Sequence, residues 1–111
     1  MAEEVLWPGA SGHKYKYTAY PIDTDLKSLA GNYIMTRHDG NTYYAVYIGE
    51  GDLKTRSKDP EHLACAKGKG ANEIHAHVNS IESARLAEEQ DLLAIHVEAY
   101  TPSGCNKKEG G

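Results

Sequence analysis

Phenylalanine is missing from this chain, and tryptophan and cysteine are scarce. Its 111 residues include no Phe, one Trp, two Cys and eight Tyr. Most large aromatic side chains therefore carry a hydroxyl group that needs a hydrogen-bond partner when it is buried. The two cysteines, Cys65 and Cys105, could in principle pair, but a reducing cytosol favours free thiols. Because the chain is long enough to bury a core of its own, we expect Cys65 and Cys105 to be free thiols.

Long apolar runs and a basic excess are also absent. No segment approaches the roughly 20 apolar residues that span a bilayer, and the N-terminal residues lack the basic start and apolar run of a signal peptide. We therefore expect a cytoplasmic protein with no membrane partner. The formal charge of −4 argues against a general nucleic-acid coat protein, which would carry a strong basic excess.

The charges that are present are unevenly distributed. Residues 71–100 carry six acidic residues and one basic residue, Arg85, whereas the preceding segment is rich in lysine. The basic residues of that preceding segment are Lys54, Arg56, Lys58, Lys67 and Lys69. We refer to these five residues as the basic strip. Clustered Lys and Arg side chains are the usual means of contacting phosphate groups, so the strip is a candidate nucleic-acid surface.

Alternation and turn residues predict a chain with both strands and helices. Segments with the composition or period-two alternation of strands are 14–20, 32–37, 42–48 and 72–79. Asp39-Gly40 between the second and third segments predicts an antiparallel hairpin. In the fourth, the alternation places His75 and His77 on the solvent side.

Polar residues mark the predicted helix starts. Asp52 and Asp59-Pro60 each indicate a short helical piece, and Asn79 with Glu82 resembles a capping box before a longer helix that extends to Leu93. We predict one domain over residues 14–106, a flexible lead-in over 1–13 and a disordered tail over 107–111.

The long helix raises a question about two adjacent acids. Its periodicity places Glu89 beside Leu86, Leu92 and Leu93, on the stripe that should face the sheet, and places Glu88 on the outside. Glu89 would then be an ion-pair partner of Arg85, an edge residue that reaches water, or a metal ligand. A single carboxylate completed by water and phosphate oxygens suits Mg²⁺.

Five short elements, in order, resemble the GIY-YIG nuclease family, and the resemblance covers most of the chain from Tyr15 to Asn106. They are Gly31-Asn32-Tyr33, Tyr47-Ile48-Gly49, Arg56, Glu89 and Cys105-Asn106. The chain is most similar to a small bacterial-type branch of that family through Tyr20–Thr24, His62–Lys67 and Gly70–Asn72. The resemblance implies an α+β fold, with a three-stranded antiparallel sheet flanked by helices, here with an extra N-terminal extended segment.

The resemblance also implies an activity, a metal-dependent endonuclease that hydrolyses phosphodiester bonds with one divalent cation, Mg²⁺ or Mn²⁺. The expected substrate is nucleic acid, with DNA favoured over RNA, and a protein partner is a further source of specificity. The implied catalytic residues are Tyr33, Tyr47, Arg56, His62, Glu89 and Asn106, and Glu89 is the implied metal ligand. Lys54, Lys58, Lys67 and Lys69 are the expected nucleic-acid-binding residues.

Each implied role has a chemical basis. Arg56 would hold the phosphate, Glu89 would carry the metal, and Tyr47 would activate or orient the attacking water with support from Tyr33. His62 would accept or relay a proton, and Asn106 would help hold the site. A tyrosine with a pKa of about 10 is a poor base at neutral pH, so the role of Tyr47 requires positive charge nearby. Without the resemblance, these would be core tyrosines and polar surface residues.

Two departures from the family pattern favour a nucleic-acid-binding domain over an active nuclease. Glu50 occupies a position that is often Lys, in a segment before Arg56 that is slightly short, and Lys54 could replace that cation. Asn32 occupies the position of Ile, a mild change if it faces solvent. One alternative is a nucleic-acid-binding domain with weak or no cleavage. Another is a zinc site made from His62, Cys65, His75 or His77, and Cys105, although the spacing fits no standard finger.

Overall fold

A five-stranded antiparallel sheet is the framework of this protein. The computed structural model describes residues 3–107. The strands are β1 (Glu3–Pro8), β2 (Lys14–Pro21), β3 (Ala30–Asp39), β4 (Thr42–Asp52) and β5 (Glu73–Val78), in the spatial order β1-β2-β5-β3-β4. The helices are α1 (Leu53–Arg56), α2 (Pro60–Gly68) and α3 (Glu82–Ile95), followed by a 3₁₀ turn at Val97–Ala99. The general α+β class is confirmed, but the sheet has five strands where we expected three.

The first strand lies where the sequence predicts a flexible lead-in. β1 pairs with β2 from Glu3 opposite Ala19 to Pro8 opposite Lys14. Val5 and Trp7 point into the core, and Pro8 is tolerated because β1 is an edge strand. The lead-in prediction is therefore wrong for residues 3–8. Most of the predicted disordered tail, residues 108–111, lies outside the described residues.

The predicted hairpin is present and carries a bulge. Gly40 and Asn41 connect β3 to β4, and Gly40 has a φ of 60°, as the first central residue of a type II′ turn requires. Further along, Met35 pairs with Tyr47 and Thr36 pairs with Ala45, so Val46 is the extra residue. The bulge lets Ala45 pack on one face of the sheet while Val46 and Tyr47 pack on the other.

Both faces of the sheet are covered. One core contains Tyr33, Met35 and Ile74 with residues of α1 and α2, and the other contains residues of β1 and α3, including Trp7 and Leu92. The short helices begin where predicted, because Asp52 accepts a hydrogen bond from the Thr55 N–H and Asp59 accepts one from the His62 N–H.

The expectation that His75 and His77 face solvent is wrong, because β1 and α3 cover that face of the sheet. His75 is fully buried, and His77 is half-buried. The Trp7 indole N–H donates to His75 Nδ1 at 3.0 Å, and His75 Nε2 lies 2.8 Å from Glu73 Oε1. β1 and α3 cover this face, and the alternation of β5 alone could not reveal them.

The start of α3 also differs from the prediction. Its N-cap is Ile81, which makes no side-chain capping bond. Asn79 Oδ1 accepts from the Ile81 N–H at 3.2 Å, two residues along the chain, which is an Asx turn and not a capping box.

The two cysteines form a disulfide. Cys65 on α2 and Cys105 in the C-terminal segment are bonded, with their Cα atoms 6.2 Å apart. The expectation of free thiols is therefore wrong. Both cysteines lie in segments that pack against the same part of β4. Because the two residues are 40 apart in sequence, the sequence does not reveal this proximity. Within residues 3–107, no helix is both long and apolar enough to cross a membrane.

Candidate active site at the edge of β4

Strand pairing brings the two motif tyrosines together. Tyr33 on β3 lies opposite Gly49 on β4 and is 1% exposed. A Cβ atom at Gly49 would lie 2.5 Å from Tyr33 Cζ, so the close approach of that ring requires glycine at this position. The ring of Tyr47 is 6.1 Å from that of Tyr33. The glycine of the second motif thus makes room for the tyrosine of the first.

Helix α2 places His62 on Tyr47. The two rings are stacked, with centroids 4.2 Å apart and an angle of 22° between their planes. Asp59 caps this helix by accepting the His62 N–H at 3.1 Å, and its Oδ1 is also 3.6 Å from His62 Nδ1. Asp59 is a residue of the site that the motifs do not indicate. Its capping position three residues before His62 is the signal that could have found it.

Asn106 closes the free edge of β4. Its Oδ1 accepts the Ile48 N–H at 2.8 Å, and its Nδ2 donates to the Ile48 carbonyl at 3.0 Å. The Cys105 N–H donates to the Val46 carbonyl at 2.8 Å. The Asn106 amide therefore occupies the place of a neighbouring strand, which satisfies an edge that would otherwise be open.

Two adjoining clefts of about 340 Å³ each lie beside this edge. The first is lined by Glu89, Gln90, Leu93, Ala94, Tyr100, Asn106 and Lys107. The second is lined by Tyr47, Glu61, His62, Cys65, Thr101, Cys105, Asn106 and Lys107. Asn106 and Lys107 belong to both walls, so the cleft beside Glu89 adjoins the cleft beside Tyr47 and His62 at the C-terminal segment.

The surroundings of the two acids on α3 are the reverse of the prediction. Glu88 is 4% exposed, and its carboxylate accepts from the Tyr17 hydroxyl and lies 2.6 Å from His77 Nε2. Glu89 is half-buried and faces the first cleft. Arg85, the suggested partner of Glu89, donates through Nε to Glu50 Oε1 at 2.9 Å.

Arg56 and Glu89 act electrostatically on the same two tyrosines. Burial raises the pKa of Tyr33, an effect that Tyr47 and Glu89 strengthen and Arg56 opposes. The pKa of Tyr47 is raised first by burial and then by the Glu89 carboxylate, while a hydrogen bond with Tyr33 and the charge of Arg56 lower it. Since the ordinary value is already about 10, both hydroxyls are protonated at neutral pH. The protein alone does not make Tyr47 a phenolate.

The two departures from the family pattern point away from the tyrosines. Glu50 lies three positions after Tyr47 on β4, so strand alternation directs it to the other face, where it pairs with Arg85. Asn32 is fully buried, which overturns the expectation that it faces solvent, and its Nδ2 donates to the Arg85 carbonyl at 3.0 Å. Both residues thus connect α3 to the sheet, and Glu50 does not place its charge beside Tyr47.

Three of the five residues of the basic strip, Lys58, Lys67 and Lys69, bind groups within the protein. Lys58 Nζ donates to the Asp23 carbonyl at 2.7 Å and lies 3.4 Å from Asp25 Oδ1. Lys67 Nζ lies 2.6 Å from Asp23 Oδ1 and lowers the pKa of that carboxyl. Lys69 Nζ donates to the Pro102 carbonyl. Lys54 and Arg56 are exposed on α1, where Arg56 lies against Gly51.

Of the side chains suggested for a zinc site, His62, Cys65 and Cys105 line one cleft, whereas His75 is buried against Trp7. Cys65 and Cys105 are bonded to each other, and both ring nitrogens of His75 already have partners. Among residues 3–107, no group of three or more His, Cys, Asp or Glu side chains is arranged to hold a metal ion. Glu89 at a cleft wall fits a cation that takes one carboxylate and keeps most of its water, as Mg²⁺ does.

Comparison with known proteins adds no family assignment. Searches against protein-family models, curated proteins and solved structures found no match to this chain.

Proposed function

We propose that this protein is a metal-dependent endonuclease that hydrolyses phosphodiester bonds in nucleic acid, with DNA as the favoured substrate. The convergence of residues from distant segments carries the proposal. Tyr33, Tyr47, His62 and Asn106 come from β3, β4, α2 and the C-terminal segment and meet at one edge of the sheet. Arg56 and Glu89 both lie close enough to shift the pKa of the tyrosines.

Arg56, Tyr47 and His62 would each have a separate role in hydrolysis. Arg56 offers a planar, permanently charged group that holds two phosphate oxygens. Tyr47 remains protonated, so it orients the attacking water through hydrogen bonds and does not deprotonate it. Imidazole is the side chain that accepts protons near neutral pH, and His62, held by Asp59 and stacked on Tyr47, is placed to accept the water's proton.

Glu89 is the residue that would hold the divalent cation. Mg²⁺ or Mn²⁺ held there would supply Lewis acidity to polarise the phosphate and stabilise the leaving oxygen. Asn106 keeps the edge of β4 closed, and that edge carries Tyr47.

A nucleic-acid-binding domain with weak or no cleavage is the second candidate. The raised pKa of Tyr47 favours it, because cleavage then depends on His62 alone to accept the water's proton. In that case Arg56 and Lys54 would still contact phosphates, and a protein partner would supply specificity.

Nicking of supercoiled plasmid with Mg²⁺ or Mn²⁺ tests the proposal. Glu89→Gln and Tyr47→Phe should each lower the nicking rate by roughly 10² or more, the usual size of a lost catalytic group. Glu82→Gln, an exposed acid on the same helix, and Tyr44→Phe, a half-buried tyrosine on the same strand, are matched controls that should keep the wild-type rate.

Two results would reject the enzyme. One is no cleavage of plasmid, single-stranded DNA or RNA with either cation, and the other is equal loss of rate in the controls and the site variants. Retained binding of a labelled oligonucleotide in the first case would support the binding domain.

A further inference from the structure

The Cys65–Cys105 disulfide forms part of the wall of the cleft that contains Tyr47 and His62. Cys65 follows His62 by three residues on α2, so their side chains lie on the same face of that helix. Cys105 immediately precedes Asn106, which closes the edge of β4. The bridge therefore joins the helix that presents His62 to the segment that presents Asn106.

Without the bridge, the two sides of the cleft are held separately. The C-terminal segment keeps its hydrogen bonds to β4 through the Cys105 N–H and the Asn106 amide. Helix α2 keeps its packing on the other core residues of that face, including Met35. The disulfide is the covalent link across the cleft, so its loss would let the two walls move apart.

The two bonded cysteines differ in their exposure to solvent. Cys105 is 6% exposed, whereas Cys65 is half-buried and lines a cleft of about 340 Å³. A small dithiol that enters this cleft meets Cys65 first.

We propose that Cys65–Cys105 is a reversible redox site for dithiols, and that its oxidised form holds the two walls of the candidate active site together. One thiolate of the dithiol attacks Cys65 Sγ, forms a mixed disulfide and displaces Cys105 as a thiolate. The second thiol of the dithiol then attacks the sulfur that the dithiol contributes to the mixed disulfide. This step releases Cys65. The protein gains two electrons and two protons, and the dithiol becomes a disulfide.

The local consequence of reduction is a looser edge of β4. The Ile48 N–H donates to Asn106 Oδ1, so its hydrogen exchange reports on this contact directly. The consequence for cleavage rests on the proposed function, because His62 and Asn106 then no longer hold a common geometry around Tyr47.

Dithiothreitol treatment of the oxidised full-length protein under native conditions tests the site. We expect two thiols per chain to appear and the Ile48 amide to exchange roughly ten-fold faster, while amides in the β1–β2 pair change little. Plasmid nicking should fall roughly ten-fold and return when the dithiol is replaced by its oxidised form. The double variant Cys65→Ser/Cys105→Ser should show no response to dithiol and should exchange at Ile48 like the reduced wild-type protein.

The outcomes separate this proposal from the proposed function. A response at Ile48 with no nicking in either redox state would reject the nuclease and leave the redox site standing. Nicking and Ile48 exchange that both stay unchanged after thiol release would reject the redox site and leave the nuclease standing. Failure to release thiols under native conditions would also overturn the proposal. Because the wild-type protein is compared in two states, the test does not depend on folding of the double variant.

Discussion

Glu88 and Glu89 are adjacent in sequence, yet their carboxylates have different surroundings. The leucine pattern suggests that Glu89 faces the sheet, but the buried stripe of α3 is made of Arg85, Glu88 and Leu92, and Leu86 is exposed. This stripe can be polar because the sheet offers partners, Tyr17 and His77 for Glu88 and Glu50 for Arg85. Hydrophobic periodicity identifies a face by its apolar residues, so it fails where the buried face is polar.

His75 should make stability depend on pH. Burial lowers its pKa, an effect that the neighbouring Glu73 opposes and His38 supports, so the folded state binds a proton less readily than the unfolded chain. The unfolded state then holds more protons below an ordinary histidine pKa of about 6.5, and the free energy of unfolding falls as the pH drops through that value. Urea unfolding between about pH 7 and about pH 5.5 measures this.

The control for this prediction is His75→Asn. An asparagine oxygen can accept from the Trp7 indole in place of Nδ1 but does not titrate, so this variant should show a flatter pH dependence over the same range. An equal pH slope in the variant and the wild-type protein would show that other groups cause it.

At the scale of elements, β1 demonstrates how a short strand can decide the environment of residues far along the chain. Trp7 packs its ring 5.6 Å from that of His75 and 5.2 Å from that of His96, and these contacts join the sheet to the end of α3. Pro8, at the end of β1, and Gly9 and Gly12 after it suggest a loop, but the alternation of Val5 and Trp7 agrees with the strand. Two inward residues are too few for a reliable strand prediction.

Two substitutions within β1 test its contribution. Trp7 is 3% exposed and Leu6 is 55% exposed on the same strand. Trp7→Ala should lower the free energy of unfolding by about 3–5 kcal/mol, because it leaves a cavity and removes the hydrogen bond to His75. Leu6→Ala should change it by less than about 0.5 kcal/mol. Urea denaturation measures the free energy of unfolding of both variants. Similarly small losses in the two would mean that β1 contributes through backbone pairing alone.

At the scale of the whole molecule, charge would limit how the proposed nucleic-acid substrate binds. The chain carries a formal charge of −4, and Asp23 and Asp25 lie beside the ammonium groups of Lys58 and Lys67. A long basic track along the duplex is therefore not available on this part of the described surface. Contact through one or two phosphates near Arg56 is consistent with this balance.

Salt dependence of binding measures the number of phosphate contacts. We expect log K to fall with log salt with a slope of about −1 to −2 for duplex DNA, since each neutralised phosphate contributes about −0.9. Arg56→Ala should reduce the slope by about one contact, whereas Lys67→Ala should leave it unchanged because Asp23 already pairs with that lysine. Fluorescence anisotropy with a labelled duplex provides the data, and a slope several times steeper would indicate an extended basic surface elsewhere.

The parts of this protein that the sequence predicts correctly depend on close neighbours. The hairpin at Gly40, the helix caps at Asp52 and Asp59 and the strands of the central hairpin follow from turn, capping and alternation rules that act over a few residues. The candidate residues Tyr33, Tyr47, His62 and Asn106 could be named before the structure because short motifs carry them.

Only the tertiary structure decided which residues those segments meet. The burial of Glu88 and His75, the pairing of Glu50 with Arg85 and the bond between Cys65 and Cys105 each require a partner far away in sequence. A local sequence pattern indicates which residues of a segment would face water. A buried polar group is stabilised by the group that the fold places opposite it, and that group can lie far away in sequence. That is why the sequence by itself determined the central hairpin, the starts of the two short helices and the candidate residues, whereas the three-dimensional packing decided β1, the start of α3 and the surroundings of the buried polar groups.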